Sequence, residues 1–242
     1  MSTYKAAVIG LGRMGSTFDD EMEQGGSIFL PYCHTPSYVA SPQTELVAGA
    51  DPHDEQREIY GERWGLSPDH LYADYRDMME QEKPDFVSIC TTARLRSEIL
   101  IDVARSGAKA IWAEKPISLS LEEADEMIRV CDELGVKVAV NTARRYNPYF
   151  AETRRRIDAG ELGDILQGNV HGQCGLSHNG SHAIDALRYL AKGGNVDWVF
   201  GEMESDEAAT GENDLMGNGY LAFDNGIRGF LRGTPCGVAN WD

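Results

Sequence analysis

Short apolar runs alternate with longer amphipathic stretches through the N-terminal half of the chain. The first run, residues 6–9, holds Ala, Ala, Val and Ile with no polar residue among them, and it ends at Gly10. Such a run is typical of a strand that is buried on both faces of a parallel sheet. Comparable runs follow at residues 46–50, 86–90, 110–113 and 136–140.

The stretches between these runs have the lengths and end signals of helices. We predict helices over residues 15–24, 54–64, 75–82, 98–106 and 120–134. Ser120 and Glu123 match a capping box at the start of the last one. We expect residues 27–42 to be a helix end and a loop. Strands that alternate with helices predict an α/β fold, with a doubly wound parallel sheet of the Rossmann type and helices on both faces.

The pattern changes after Asn147-Pro148. We predict helices at residues 149–159 and 182–190, and strands at 165–171, 198–204, 219–223 and 227–231. Asp224-Asn225-Gly226 is typical of a tight hairpin turn between the last two strands. These elements predict a second, α+β domain with an open, mostly antiparallel sheet and helices on one side. We expect domains at residues 1–145 and 146–242.

Composition narrows the classes of partner. The chain has 242 residues and a net charge of −17, so nucleic acids and anionic membranes would repel it. Its five cysteines are scattered, which indicates neither a zinc site nor a disulfide framework and favours a reducing cytoplasm. A strand begins within a few residues of Met1, which leaves no room for a signal peptide, and no apolar run is long enough to cross a membrane.

The first strand leads into Gly-x-Gly-x-x-Gly, formed by Gly10, Gly12 and Gly15. Gly10 permits a tight turn, Gly12 lets a pyrophosphate approach the backbone, and Gly15 lets the next helix pack closely on the strand. The N-terminus of that helix favours phosphate charge. Asp51 ends the second strand, where an acid would hold ribose hydroxyls. The alternative is an ordinary α/β turn with a capping aspartate.

Asp51 also bears on which nicotinamide cofactor is used. An acid at this position would repel a 2′-phosphate, and no arginine follows directly after it. We therefore expect NAD rather than NADP.

Polar groups follow three further strands, and the carboxyl ends of parallel strands are where ligands bind. They are Thr91-Thr92, Glu114-Lys115-Pro116 and residues 141–147. Lys115 could bond a substrate hydroxyl and the nicotinamide ribose together, whereas the alternative is a surface lysine in a loop. Arg94 and Arg96 could favour a phosphate or carboxylate, although solvated arginines are the commoner case.

A second polar cluster lies at residues 177–185. His178 and His182 bracket the predicted helix start, and Asp185 lies three residues beyond His182 on the same helix face. The dipole at a helix N-terminus lowers the pKa of a histidine, which leaves it neutral and able to accept a proton. A metal site and simple N-capping are the alternatives. We expect no metal, because a third strong ligand is not evident.

The order of these motifs resembles the Gfo/Idh/MocA oxidoreductases, the glucose–fructose oxidoreductase and inositol dehydrogenase group. The motifs are GLGRMG, AEKPIS, NTARRYNP and SHNGSHAIDALRYL, and they cover essentially the whole chain. The resemblance implies hydride transfer between a nicotinamide and a secondary alcohol or ketone of a sugar, polyol or sugar derivative. It also implies a homodimer or homotetramer formed through the open face of the second sheet.

The resemblance assigns roles to individual residues. It implies that Lys115 holds substrate and cofactor, that His182 acts as general base with His178 beside it, and that Asp185, Arg144 and Asn179 bind substrate. The implied cofactor-binding residues are Gly10, Gly12, Arg13, Met14, Gly15, Asp51, Thr91, Thr92, Glu114 and Lys115.

Three departures from the family pattern keep other functions open. His178 stands where many members have an aspartate, residues 91–96 lack the usual proline and histidine, and the chain is short for the family. A sensor that binds NAD or a sugar nucleotide without catalysis is the runner-up. A lyase or hydrolase that oxidises its substrate transiently is the third hypothesis.

Overall fold

The computed structural model describes residues 3–26, 30–172, 175–176, 179–203, 205 and 217–233, with Asn179 described by its backbone alone. The chain folds as two compact units, residues 1–141 and 142–242. The expected domain boundary after residue 145 stays a prediction.

The first unit is built on a six-stranded parallel sheet with strand order β3-β2-β1-β4-β5-β6. The strands are β1 (Tyr4–Ile9), β2 (Thr44–Ala50), β3 (Leu71–Tyr72), β4 (Phe86–Ile89), β5 (Ala110–Ala113) and β6 (Lys137–Val140). The helices are α1 (Phe18–Gln24), α2 (His34–Ala40), α3 (Asp54–Trp64), α4 (Tyr75–Glu82), α5 (Ala93–Arg105) and α6 (Leu121–Leu134). The chain order of strands and helices makes this a doubly wound sheet, as predicted.

Apolar residues on the two faces of β1 enter different parts of the core. Ala7 and Ile9 pack in one cluster with residues of β4, β5, α5 and α6. Ala6 and Val8 pack in a second cluster with Leu11, Tyr38 and Tyr60. Both faces of this central strand are therefore covered, which is why its sequence is apolar without alternation.

The segment after α1 differs from the expectation of a helix end and a loop, because it contains helix α2. The carboxylate of Asp19 accepts hydrogen bonds from the backbone N–H groups of Tyr32 and Cys33, the latter at 2.6 Å. Pro36 lies in the first turn of α2, where a missing N–H costs no helical hydrogen bond. Contacts distant in sequence thus form a helix that the local pattern does not predict.

Other elements also differ from the prediction. Helix α5 begins at Ala93 and not at residue 98, because Thr92, three residues after the end of β4, adopts an extended N-cap conformation. Strand β3 was not predicted, because it is only two residues long and pairs with Gly49 and Ala50 at the sheet edge.

The second unit contains a four-stranded mixed sheet in the order β7-β10-β9-β8. Its elements are α7 (Pro148–Asp158), β7 (Gln167–Gly172), α8 (Asn179–Leu190), β8 (Val196–Met203), β9 (Gly217–Phe223) and β10 (Arg228–Gly233). Strand β9 is antiparallel to both β8 and β10, whereas β10 and β7 are parallel. The predicted hairpin at residues 224–226 is present, with Gly226 at a φ of +88°.

Helix α8 covers one face of this second sheet. Ala183 and Leu187 of α8 pack in one buried cluster with Val170, Leu221 and Leu231 of the strands. The predicted fold class, a Rossmann-type sheet with a second open sheet, is therefore confirmed. Within the described ranges, none of the helices combines the length and the apolar character that a membrane span requires.

Candidate functional site

The turn after β1 has the backbone geometry of a phosphate cradle. Gly10 has a φ of +87°, which side chains rarely permit. A Cβ added at Gly15 would lie 2.2 Å from the carbonyl oxygen of Gly10, so a side chain there is excluded by the protein itself. A Cβ added at Gly12 would meet no protein atom within 4 Å among the described residues. Gly12 therefore borders open space in which a pyrophosphate can approach the main chain.

The helix after this turn begins with a π-helical turn, Arg13–Thr17, before α1 continues it. The first N–H groups of a helix have no carbonyl partner within the helix, and those of Arg13 and Met14 occupy that position. The Arg13 side chain forms two hydrogen bonds with Glu21, at 2.6 and 2.7 Å. The part expected of Arg13 in phosphate binding is thus one for its backbone.

Asp51 directly follows β2 and anchors the glycine turn. Its Oδ2 accepts a hydrogen bond from the backbone N–H of Leu11 at 3.0 Å, and its Oδ1 accepts one from that of His53 at 3.0 Å. A carboxylate offers about four lone-pair sites, so this geometry leaves acceptor capacity for a ribose hydroxyl. The predicted ribose contact stays a prediction.

Thr91 lies in the loop after β4, and Arg96 lies in the first turn of α5. The Arg96 guanidinium is buried and donates hydrogen bonds to the carbonyl oxygens of Thr91 and Pro116. The expectation of a solvated arginine here is wrong, because Arg96 ties two loops together. The Thr91 hydroxyl is buried and has no hydrogen-bond partner within the described part of the chain. An orphaned hydroxyl at a strand end fits a ligand that would supply its partner.

Lys115 and Pro116 lie in the loop after β5, and the carboxylate of Glu114 holds the backbone of Lys115. Glu114 Oε2 accepts the backbone N–H of Lys115 at 3.1 Å. Its Oε1 lies 3.1 Å from His34 Nε2 and accepts a hydrogen bond from Asn141 Nδ2 at 2.5 Å. His34 Nδ1 lies 2.8 Å from the hydroxyl of Ser88. A buried polar network therefore underlies the loop that carries Lys115.

The directions in which the pKa values of His34 and Glu114 are shifted show which of the two side chains is charged. Burial lowers the pKa of His34 below 6.5 despite the neighbouring carboxylate, so its imidazole is neutral. Burial raises the pKa of Glu114, but hydrogen bonds from His34 and Asn141 outweigh it and leave that pKa lowered. Glu114 is therefore ionised. Neutral His34 carries its proton on Nε2, facing the ionised carboxylate, and its Nδ1 lies within hydrogen-bonding distance of the Ser88 hydroxyl.

In the second unit, α8 carries His182 and Asp185. His182 is buried in the first turns of the helix. Asp185 lies one turn further on and pairs with Arg145, whose Nε is 2.8 Å from both carboxylate oxygens. This pairing raises the pKa of Arg145. Arg144 lies in the short 3₁₀ turn Ala143–Tyr146 with it. His178 and the side chain of Asn179 lie outside the described residues.

Sequence reasoning missed two residues of these clusters, His34 and Arg145. His34 fell in the segment interpreted as a loop, and its partner Glu114 lies 80 positions away. Arg145 stood beside Arg144 with no local signal to separate the two. Within the described ranges, no group of three or more His, Cys, Asp or Glu side chains could hold a metal ion.

Comparisons with known proteins agree with the nucleotide-binding geometry. The model of an oxidoreductase family with an NAD-binding Rossmann fold matches residues 4–142. A scyllo-inositol 2-dehydrogenase (NAD(+)) of Bacillus subtilis (strain 168) is 31% identical over 93% of this chain and 65% of its own length. An inositol 2-dehydrogenase of Rhizobium meliloti (strain 1021) is 27% identical over 67% of this chain and 43% of its own length. The chain thus spans less than two thirds of these relatives.

Solved structures share the fold across nearly the whole chain. An aldose-aldose oxidoreductase from Caulobacter crescentus, complexed with glycerol, matches with a TM-score of 0.80 and 20% identity over 98% of this chain and 72% of that one. An inositol dehydrogenase homolog from Azotobacter vinelandii, complexed with NADH and myo-inositol, matches with a TM-score of 0.78 and 19% identity over 97% and 65%. At these sequence identities the comparisons show a shared fold and nothing more.

Proposed function

The chain belongs to the Gfo/Idh/MocA oxidoreductase family, which has an NAD-binding Rossmann fold, and from this premise we propose that it is an NAD-dependent dehydrogenase. Its substrate is a secondary alcohol, or the corresponding ketone, of a polyol, sugar or sugar derivative. The glycine turn is the observation that carries the proposal, because a Cβ built at Gly12 meets no described protein atom within 4 Å and a pyrophosphate can therefore approach the backbone there. The inositol dehydrogenases among the relatives support the substrate class.

The residues of the first unit hold the cofactor. The backbone of the glycine turn binds the pyrophosphate, Asp51 binds ribose hydroxyls, and Thr91 supplies a hydroxyl with unused hydrogen-bonding capacity. When bound, NAD accepts the hydride of the substrate carbon at C4 of its nicotinamide. Lys115 donates hydrogen bonds that orient the reacting hydroxyl. The negative charge of Asp51 favours NAD over NADP, so NADH is expected to bind more tightly than NADPH.

The second unit supplies the base. His182 accepts the hydroxyl proton of the substrate as its carbon loses a hydride, and Asp185 with Arg145 orients further hydroxyls. His178, which stands where many members of the family have an aspartate, completes this set with Asn179, and Arg144 is a further substrate-binding residue.

The exposed face of the second sheet is the assembly surface of a homodimer or homotetramer. Phe200 is 76% exposed, and Trp198 and Phe230 are also exposed. Tyr220 lies between the latter two, with ring centroids 5.3 and 4.7 Å away. Exposed apolar patches of this kind mark interaction surfaces. The free thiols of Cys33, Cys90 and Cys131 support a location in the reducing cytoplasm.

Two measurements test the dehydrogenase. Quenching of protein fluorescence by NADH and NADPH gives both dissociation constants, and absorbance at the NADH band follows oxidation of a panel of inositols, aldoses and sugar acids. The proposal requires NADH binding and turnover of at least one panel member. Binding without turnover identifies the sensor, and NAD dependence without net NADH identifies the lyase or hydrolase. Failure to bind either nucleotide refutes the dehydrogenase, the lyase or hydrolase and a sensor of NAD, and leaves a sensor of a sugar nucleotide.

A further inference from the structure

His34 is a buried histidine to which the proposed reaction assigns no part. Its side chain is 0% exposed, and its ring centroid lies 3.8 Å from that of Trp112. Both ring nitrogens are engaged, Nδ1 with Ser88 and Nε2 with Glu114. The imidazole is thus fixed in one orientation and one tautomer, with its Nε2–H directed at the carboxylate.

The Glu114 carboxylate is in turn committed to protein groups. Oε1 faces His34 and Asn141, and Oε2 accepts the backbone N–H of Lys115. Glu114 is only 4% exposed, and a buried carboxylate remains ionised only while donors surround it. The position of the Lys115 backbone therefore depends on donors to the opposite oxygen of the same carboxylate.

His34 is also linked to the glycine turn. The thiol of Cys33, the preceding residue, lies 3.5 Å from the carbonyl oxygen of Arg13. Asp19 of α1 accepts the N–H of Cys33 at 2.6 Å. The start of α2 thus contacts the pyrophosphate turn through Cys33 and the Lys115 loop through His34.

We propose that His34 is a positioning residue, which holds Glu114 so that Lys115 is presented to the substrate and the cofactor in one fixed orientation. This inference rests on the proposed function, since it gives the fixed orientation of Lys115 its purpose. His34 touches neither substrate nor cofactor in this role. It acts through the Glu114 carboxylate.

Substitutions at position 34 separate this role from general support of the fold. His34→Gln keeps an amide N–H near the position of Nε2 and so keeps the donor to Glu114. His34→Asn keeps a polar group only near Nδ1, on the Ser88 side. Thr35→Val is the matched control, because Thr35 is the next residue of α2, is equally buried, and bonds Tyr60 at 2.8 Å instead of Glu114.

The first readout needs no activity. Hydrogen exchange of the apo protein, followed by mass spectrometry, reports the Lys115 amide in peptides that span residues 113–117. We expect faster exchange there in His34→Asn, restored protection in His34→Gln, and wild-type protection in Thr35→Val. Unchanged protection in His34→Asn would overturn the proposal.

The second readout separates turnover from binding. We expect kcat of His34→Asn to fall about 10²-fold, the usual effect of a displacement of about 1 Å, with the NADH dissociation constant unchanged. His34→Gln should recover most of kcat, and Thr35→Val should lower the melting temperature while keeping kcat. If His34→Asn and Thr35→Val have the same kcat, the proposal is wrong. If the wild type turns over no panel member, but the Lys115 amide exchanges faster in His34→Asn, the proposed function is refuted. The positioning role of His34 is supported in that case.

Discussion

Two glycines of the turn after β1 are expected to respond in opposite ways to the addition of one methyl group. Gly12→Ala places its Cβ where no described protein atom lies within 4 Å, and Gly12 already has a φ of −77°. The free energy of unfolding should therefore change by no more than about 1 kcal/mol. The methyl group nevertheless occupies the space through which a pyrophosphate approaches the backbone, so the NADH dissociation constant should rise at least about tenfold, or ~1.4 kcal/mol.

Gly15→Ala meets the protein instead of the ligand. Its Cβ would lie 2.2 Å from the carbonyl oxygen of Gly10, whereas real Cβ atoms essentially never approach within 3.0 Å. The obstructing atom belongs to the main chain, so the turn itself must move. We expect a loss of about 1–3 kcal/mol in the free energy of unfolding, together with loss of NADH binding. Gly25→Ala is the control, because Gly25 has a helical φ of −74° and its Cβ would meet its neighbours at 3.4 Å.

The assay pairs urea denaturation, followed by circular dichroism, with NADH titration of the same preparations. We expect Gly12→Ala to be as stable as the wild type but to bind NADH weakly, Gly15→Ala to be less stable, and Gly25→Ala to bind NADH as the wild type does. If Gly12→Ala binds NADH as tightly as the wild type, the pyrophosphate does not lie over this turn and the site has been misplaced.

Four further predictions concern other parts of the molecule. Lys115→Ala and His182→Ala should each lower kcat at least about 10²-fold with the NADH dissociation constant unchanged; wild-type turnover in either contradicts its role. Arg96→Met should lower the free energy of unfolding in urea denaturation by about 2–4 kcal/mol, because two part-buried carbonyl groups lose a charged donor; a loss no larger than that of an exposed control variant would refute this. The free energy of unfolding should fall as pH drops below 6.5, since burial lowers the pKa of His34 and only the unfolded chain then takes up a proton there. In His34→Gln the free energy of unfolding should depend less steeply on pH, by up to about 1.4 kcal/mol per pH unit. Phe200→Glu should dissociate the oligomer in sedimentation velocity, and an unchanged sedimentation coefficient would exclude this sheet face as the interface.

Elements with local end signals were predicted closely. Helix α3 has the predicted bounds because Gly65 ends it in the left-handed conformation, at a φ of +71°. Helix α6 begins at its predicted cap, since Ser120 Oγ accepts the N–H of Glu123 at 3.2 Å and Glu123 returns to the N–H of Leu119. Interactions of this kind join residues three or four apart, so a single stretch of sequence contains them whole.

Elements that depend on distant partners were not predicted. Asp19 accepts a hydrogen bond from the start of helix α2, and His34 of the same helix contacts Glu114. Arg96 looked like a solvated arginine because its acceptors are carbonyl groups, which every residue has. No side-chain pattern distinguishes the carbonyl of Pro116 as an acceptor. The glycine turn was predictable for the opposite reason, because its constraint is steric and lies within six residues.

The two acids at the carboxyl edge of the sheet serve the same physical purpose, and this affects how their substitution should be interpreted. Asp51 accepts the N–H of Leu11 at 3.0 Å, and Glu114 accepts that of Lys115 at 3.1 Å. Each carboxylate therefore shapes the turn beside it in addition to any effect of its charge on a ligand. Asp51→Ala would remove the anchor and the charge together, so weaker NADH binding in that variant would not identify the ribose contact. Asp51→Asn removes the charge and keeps one oxygen acceptor, which can serve Leu11, while its amide NH₂ faces the N–H of His53 and loses that hydrogen bond. Because the altered turn affects both nucleotides, a gain in NADPH binding relative to NADH measures repulsion of the 2′-phosphate.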